Sequence, residues 1–266
     1  MPENGKGGRV HPLADVLVII KESWGLEFLF RWAHVLVGIA WIGLLYYFNF
    51  VQVPAFAELD AGARNQATDK LASRALWWFR WAAVATVVFG VLILLVQPSG
   101  SDTWGRLFYG EYYKSFAGIS ISVGILLALT MFANVWLVIW PNQKKVIANA
   151  RNVLAGGEAD PAAADAGRRA LMASRQNAIF SFAMLFFMVG TSHFFASLSS
   201  GEPGGERGIF WAVTIVVWAL LELNCLGIIG GRGTGGTNWF YDNHKRAIGT
   251  GLVLVLFWYL LWVLVF

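Results

Sequence analysis

An all-α, polytopic membrane bundle is the fold class this sequence predicts, on three observations. The 266 residues are 57% hydrophobic and only 14% charged, more apolar surface than a soluble domain can hide. Six apolar stretches are each long enough to cross a bilayer core at about 1.5 Å per residue. Tryptophans gather at the ends of these stretches, as in Trp77, Trp78 and Trp81 and again in Trp136 and Trp140, where amphipathic rings favour the headgroup region.

The spans read as Leu26–Val53, Ala75–Val96, Phe116–Trp140, Gln176–Leu198, Ile209–Ile229 and Ala247–Phe266. Residues 26–266 therefore form one transmembrane domain, and residues 1–25 a leader. The opening MPENGKGGRVHPLADV is polar and glycine-rich rather than basic then apolar, unlike a cleavable signal. Pro12 to Gly25 carries Leu13, Val16, Leu17 and Ile20 on one face, the pattern of a short helix lying on the lipid surface.

Charge orients the spans. The loops after spans one, three and five, with the adjoining span ends, hold 13 of the 20 Lys and Arg, and the opposite side holds seven. The positive-inside rule puts the richer side in the cytoplasm of a bacterial inner membrane and both termini in the periplasm. The connection at about 141–175 dominates that count, and its GGEADPAAADAG stretch reads as a flexible linker. The net charge of +4 sits in these loops, so it points to lipid headgroups rather than nucleic acid. A single cysteine, Cys225, excludes an internal disulfide, a cysteine-built metal cluster and C-x-x-C-H attachment of a haem.

Two histidines lie inside spans. On antiparallel helices, His34 and His193 fall roughly 12 and 9 Å below the same membrane surface, a match set only by the number of spans between them. Gly38 is four residues after His34, and Gly190 three before His193. On a regular α-helix each shares its histidine's face, on the membrane-centre side. Buried imidazoles are costly in lipid and mark function. A matched pair with clearance beside each suits a b-type haem ligated by both rings, with Arg31 toward a propionate. The alternatives are helix-bridging histidines, or copper, for which no third His, Cys or Met stands at that depth.

Glu222, in span five, is a carboxylate that must be neutral, paired or part of a proton path. Asn224 is too near in sequence to share its face, so a partner comes from another helix. Asn134, Asn177 and Ser181 read as helix-stitching residues toward the basic side. His244 reads as interfacial and solvated. Gly231, Gly233 and Gly236 satisfy G-x-G-x-x-G, but the motif means dinucleotide binding only between a strand and a helix; here it reads as a flexible loop.

The blocks RWAHVLVGIAWIGLLYYFNF (Arg31–Phe50), WWFRWAAVATVVFGVLILL (Trp77–Leu95), MFANVWLVIWPNQKKVI (Met131–Ile147) and SRQNAIFSFAMLFFMVGTSHFF (Ser174–Phe195) resemble, in order, the membrane domain of the membrane-bound urate oxidases, or urate hydroxylases. N-V-W-x-x-I-W-P-N-Q-K-K is the most specific of them. The resemblance implies oxidation of urate with electrons passing to a C-terminal cytochrome c domain. This sequence holds no C-x-x-C-H, so either the acceptor is a separate protein, with a cytochrome on the outer side expected, or the membrane bundle has been kept for a changed task. The resulting expectation is a haem-binding oxidoreductase with His34 and His193 on the iron, Arg31, Gly38 and Gly190 around it, and Glu222 handling a proton. Its rivals are a cytochrome b subunit of a larger membrane complex without substrate chemistry, and a non-redox transporter or assembly subunit.

Overall fold

The computed structural model describes residues 18–97, 105–198 and 202–266, apart from the side chain of Ala196. Among them there is no strand. After a short helix α1 (Val18–Lys21) come six long ones: α2 (Ser23–Glu58), α3 (Ala61–Val96), α4 (Phe116–Leu154), α5 (Ala162–Phe195), α6 (Glu206–Cys225) and α7 (His244–Val265). All six are long and apolar enough to cross a membrane, so this is a multi-pass membrane protein. Most of the expected surface helix over Pro12–Gly25 lies outside the described residues. Its end is α1, which folds back so closely that a Cβ on Gly25 would lie 2.6 Å from the Ile19 Cα.

The first four long helices have 36, 36, 39 and 34 residues. At 1.5 Å per residue that is about 50–60 Å each, against a hydrocarbon core of about 30 Å. They therefore continue well past the bilayer on the basic side. There the structure departs from the expected spans. Span one was expected to stop at Val53 and span three at Trp140, each immediately before a proline, yet both helices run on through Pro54 and Pro141.

The reason is local. A proline inside a helix lacks its N–H and clashes with the carbonyl four residues back. In both helices a wider π-turn precedes it, Tyr47–Gln52 in α2 and Asn134–Ile139 in α4, and makes that room. The connection expected at about 141–175 is accordingly a helical hairpin, with only a seven-residue turn between Leu154 and Ala162. Asp69 clips the hairpin to α3 through Arg151 at 2.5 Å.

Polar side chains start the helices. The Asp60 carboxylate accepts from the Ala63 N–H at 3.0 Å, Ser115 Oγ from Gly118 N–H at 3.1 Å, and Asn243 Oδ1 from Lys245 N–H at 2.8 Å. At the start of α4 the preceding turn lies directly on the helix. A Cβ on Gly118 would sit 1.8 Å from the Tyr112 carbonyl oxygen, a backbone atom that cannot step aside. Gly118→Ala is expected to cost about 1–3 kcal/mol by overpacking. A drop in the detergent melting temperature checks it, and an unchanged value would show that the turn can lift off.

α2 pairs with α3, while α5 is the central helix, packed on α4 and α7. The far half of the core, opposite the basic end, is aromatic. Phe187 stacks on Phe195 at 4.9 Å, Phe195 meets Trp262 at 4.4 Å, and Phe210 packs on Trp262 at 5.5 Å. Trp77, Trp78 and Trp81 are exposed, as an interfacial belt requires. Trp140 does more than anchor: the buried Arg80 guanidinium lies 3.3 Å over its ring.

Candidate functional site

Two polar regions stand inside the bundle, one around each end. In the far half, His34 faces α3. Its Nδ1 lies 2.8 Å from the Thr86 carbonyl oxygen, so this nitrogen carries the proton and Nε2 is left with its lone pair. The glycine against the ring is Gly90 of α3, where a Cβ would lie 3.2 Å from His34 Cε1. Gly38 faces Thr86 instead, at 3.9 Å. Gly90 was missed because the sequence reading looked for clearance only on the histidine's own helix.

Above His34, toward the far surface, Arg31 pairs with Glu27 at 2.5 Å. Glu27 also accepts from Gln97 Nε2 at 2.7 Å, and Gln97 Oε1 accepts from Arg106 at 3.0 Å. Arg31 is thus the exposed end of a network tying α2, α3 and the following turn together.

His193 is placed differently. It is exposed, with Nδ1 3.2 Å from the Val189 carbonyl oxygen, again leaving Nε2 free. A π-turn over Thr191–Phe195 resets the helical register here. In a regular α-helix Gly190 and His193 would share a face. With the wider turn, Thr191 and Phe195 point inward, His193 points outward, and the Phe195 ring fills the space over Gly190, where a Cβ would lie 2.7 Å from Phe195 Cε2. The clearance expected at Gly190 is therefore occupied by the aromatic core. The contacts between α2 and α5 that carry hydrogen bonds, Tyr46 to Ser181 at 2.8 Å and Asn49 to Ser174 at 2.8 Å, lie on the basic side of both histidines. Among the described residues, no three His, Cys, Asp or Glu side chains gather to hold a bare ion.

In the basic half, Glu222 finds its partner on another helix, as its isolation in sequence required. Asn134 Nδ2 donates to Glu222 Oε2 at 3.2 Å and to Asn177 Oδ1 at 3.1 Å, and Asn177 Nδ2 donates to the Met131 carbonyl at 2.9 Å. These bonds join α4, α5 and α6, so the expected stitching role of Asn134 and Asn177 holds. Ser181 stitches too, to Tyr46. One turn nearer the far side, Trp218 Nε1 donates to Thr130 Oγ1 at 2.9 Å.

Beside this cluster stands Tyr241, which the sequence reading did not single out. Its phenol donates to Gln176 Oε1 at 2.5 Å. Burial pushes that phenol well above its usual range, with Cys225 and Glu222 nearby adding to the shift, so it remains a donor. Tyr241 is held by the glycine-rich segment, which is fixed rather than loose. Asn238 Nδ2 faces the carbonyls of Gly230, Gly231 and Gly233 at 3.1–3.4 Å, while Arg168 bonds the Arg232 and Gly233 carbonyls and pairs with Asp242 at 2.8 Å. The segment lies between two helices and its carbonyls point inward to these cations and amides, so it makes no phosphate loop.

Residues 108–219 match the family model described as urate oxidase N-terminal. Over this segment the chain is similar to the urate oxidase N-terminal family. The matched region, about two-fifths of the chain, runs through α4 and α5 into α6, and contains Asn134, Asn177, Gly190 and His193. Of the four resembling blocks, Met131–Ile147 and Ser174–Phe195 fall inside it, and Arg31–Phe50 and Trp77–Leu95 outside. His34, Arg31, Gly38 and Glu222 also lie outside it. No curated protein and no solved structure matches the chain. The match suggests an oxidoreductase-like function.

Proposed function

We propose that this urate-oxidase-like membrane protein takes electrons from a small reductant, urate or a related purine, and passes them to a separate cytochrome c on the far side. The match over residues 108–219 carries the oxidoreductase part of this reading. The cofactor part is a b-type haem held by His34 and His193. Its support is that both imidazoles present the same arrangement: Nδ1 is held by a backbone carbonyl and Nε2 is free to ligate. Such a carbonyl fixes the ring's orientation and raises its basicity, as metal-bound histidines require. When bound, a haem supplies reversible one-electron transfer. The chain's own part is to hold the two ligand nitrogens, to place Arg31 for a propionate, and to give Glu222 a buried polar surround in which to hold a proton. The excess of Lys and Arg on one side supports a bacterial inner membrane location with periplasmic termini. A periplasmic acceptor, or a larger membrane complex in which this chain is the cytochrome b subunit, would then meet the far face.

A second reading has one observation in its favour. The bond from His34 to the Thr86 carbonyl already joins α2 to α3; a histidine that only bridges helices would leave the protein colourless. The visible spectrum of protein purified from haem-replete cells separates the two. The haem reading expects a Soret band, and urate-dependent reduction of added cytochrome c. A colourless preparation ends it.

A further inference from the structure

At the basic end, four helices enclose a cavity that neither the haem reading nor the family match assigns. It measures about 190 Å³ and lies between the π-turn of α2, α3, α4 and the start of α5. Phe48, Leu76, Phe79 and Ile139 make its walls, and Gln52, Gln143 and Ser174 supply its polar groups. No charged side chain lines it. Along α2 it lies eighteen residues beyond His34, about 27 Å at the α-helical rise, so it is separate from the imidazole region.

The hydrogen-bonding capacity of the cavity is partly unspent. Gln52 Oε1 is buried with no partner. Ser174 Oγ accepts from Asn49 Nδ2 at 2.8 Å, and so keeps its own proton to donate. A carboxamide on one wall and a hydroxyl on the facing helix thus point to a ligand with polar atoms on opposite edges of an apolar ring. The size limits it further. Sites for drug-sized ligands run to about 300–1,000 Å³, so this one takes a single ring system and not a whole macrocycle or dinucleotide. The lack of charge argues against a phosphate or carboxylate, whose burial needs a paired cation. The cavity stands where α2, α3, α4 and α5 leave the bilayer on the basic side, a level that the ring of a lipid-anchored ligand can reach.

We propose that this cavity binds the ring of a lipid-soluble quinone, its two carbonyl oxygens taking hydrogen bonds from Ser174 and from the Gln52 or Gln143 carboxamide. The unpartnered Gln52 oxygen would accept from the hydroxyl of the reduced form. Nothing in this proposal depends on haem.

The test is saturable binding of menadione to protein in lipid nanodiscs, with an azido-naphthoquinone photolabel mapped by mass spectrometry. Label is expected in the peptides around Gln52 and Ser174, displaced by menadione. Ser174→Ala should weaken binding about five-fold, the order of one neutral hydrogen bond. Because that change also takes a partner from Asn49, a second variant is needed. Gly167→Leu fills the cavity's edge while leaving every hydrogen bond in place, and a Cβ there makes only ordinary contact with Val146 at 3.8 Å. It should abolish binding without lowering the melting temperature. His34→Ala should leave binding unchanged, so loss of the haem reading would not count against this one. Label mapping elsewhere, unchanged binding in Gly167→Leu, or displacement by xanthine but not menadione would each overturn the quinone assignment.

Discussion

Alanine at His34 or at His193 is expected to remove most of the Soret absorbance of the purified protein, and free imidazole to restore part of it. The expectation follows from how the two rings are held. Each is oriented through Nδ1, by the Thr86 carbonyl in one case and the Val189 carbonyl in the other. On the haem reading, removal of either ring deletes one of the two ligands. A haem with one protein ligand is held far less tightly than one with two, and the remaining spectrum should shift from low-spin to high-spin. Gly90→Val tests the surround of the same ring from α3, since its side chain would press on His34 Cε1; the band should shift while the fold is kept. If both alanine variants keep an unchanged band, the ligands are elsewhere, even in a coloured protein.

The largest effect on stability should come from Asn177→Leu. Asn177 is fully buried, accepts from Asn134 and donates to the Met131 carbonyl at the mouth of the α4 π-turn. Its loss leaves one Asn134 proton without a partner and takes the side-chain donor from that carbonyl, which keeps the Asn134 backbone N–H. Each orphaned buried group costs about 1–3 kcal/mol, although membrane hydrogen bonds measure at the lower end, about 0.6–2 kcal/mol. A total of about 2–4 kcal/mol is expected. Cys225 supplies the readout: it is the one thiol in the sequence, it is buried, and a thiol-reactive dye reports its exposure on heating. Asn134→Leu should cost less, because Asn177 keeps its bond to the Met131 carbonyl and Glu222 is only partly buried. The double variant should fall short of the sum of the two by about 1 kcal/mol, the signature of a shared bond. Strict additivity would mean that the Asn134–Asn177 bond contributes nothing.

Particular residues show how far the chain could be read without its fold. Six apolar runs of about 20 residues or more settle six membrane helices, because runs of that length in lipid satisfy their backbone locally, whereas barrel strands are about half as long. The need of Glu222 for a partner from another helix was equally legible, since a carboxylate at that depth cannot stand alone and Asn224 faces elsewhere. The continuation of α2 and α4 through Pro54 and Pro141 was not legible. A proline stops a helix unless the preceding turn widens, and that widening depends on what packs around it.

The same physics divides the histidines. Their types and the family likeness of the middle segment were written in the sequence, because composition and motif are one-dimensional. Which way each ring points was decided only by tertiary structure. A π-turn at Thr191–Phe195 turns His193 outward and Phe195 inward, and Gly90, fifty-six residues from His34 in the chain, is the neighbour that makes room for that ring. Helical spacing assumes one register from end to end, and packing between helices is what breaks it.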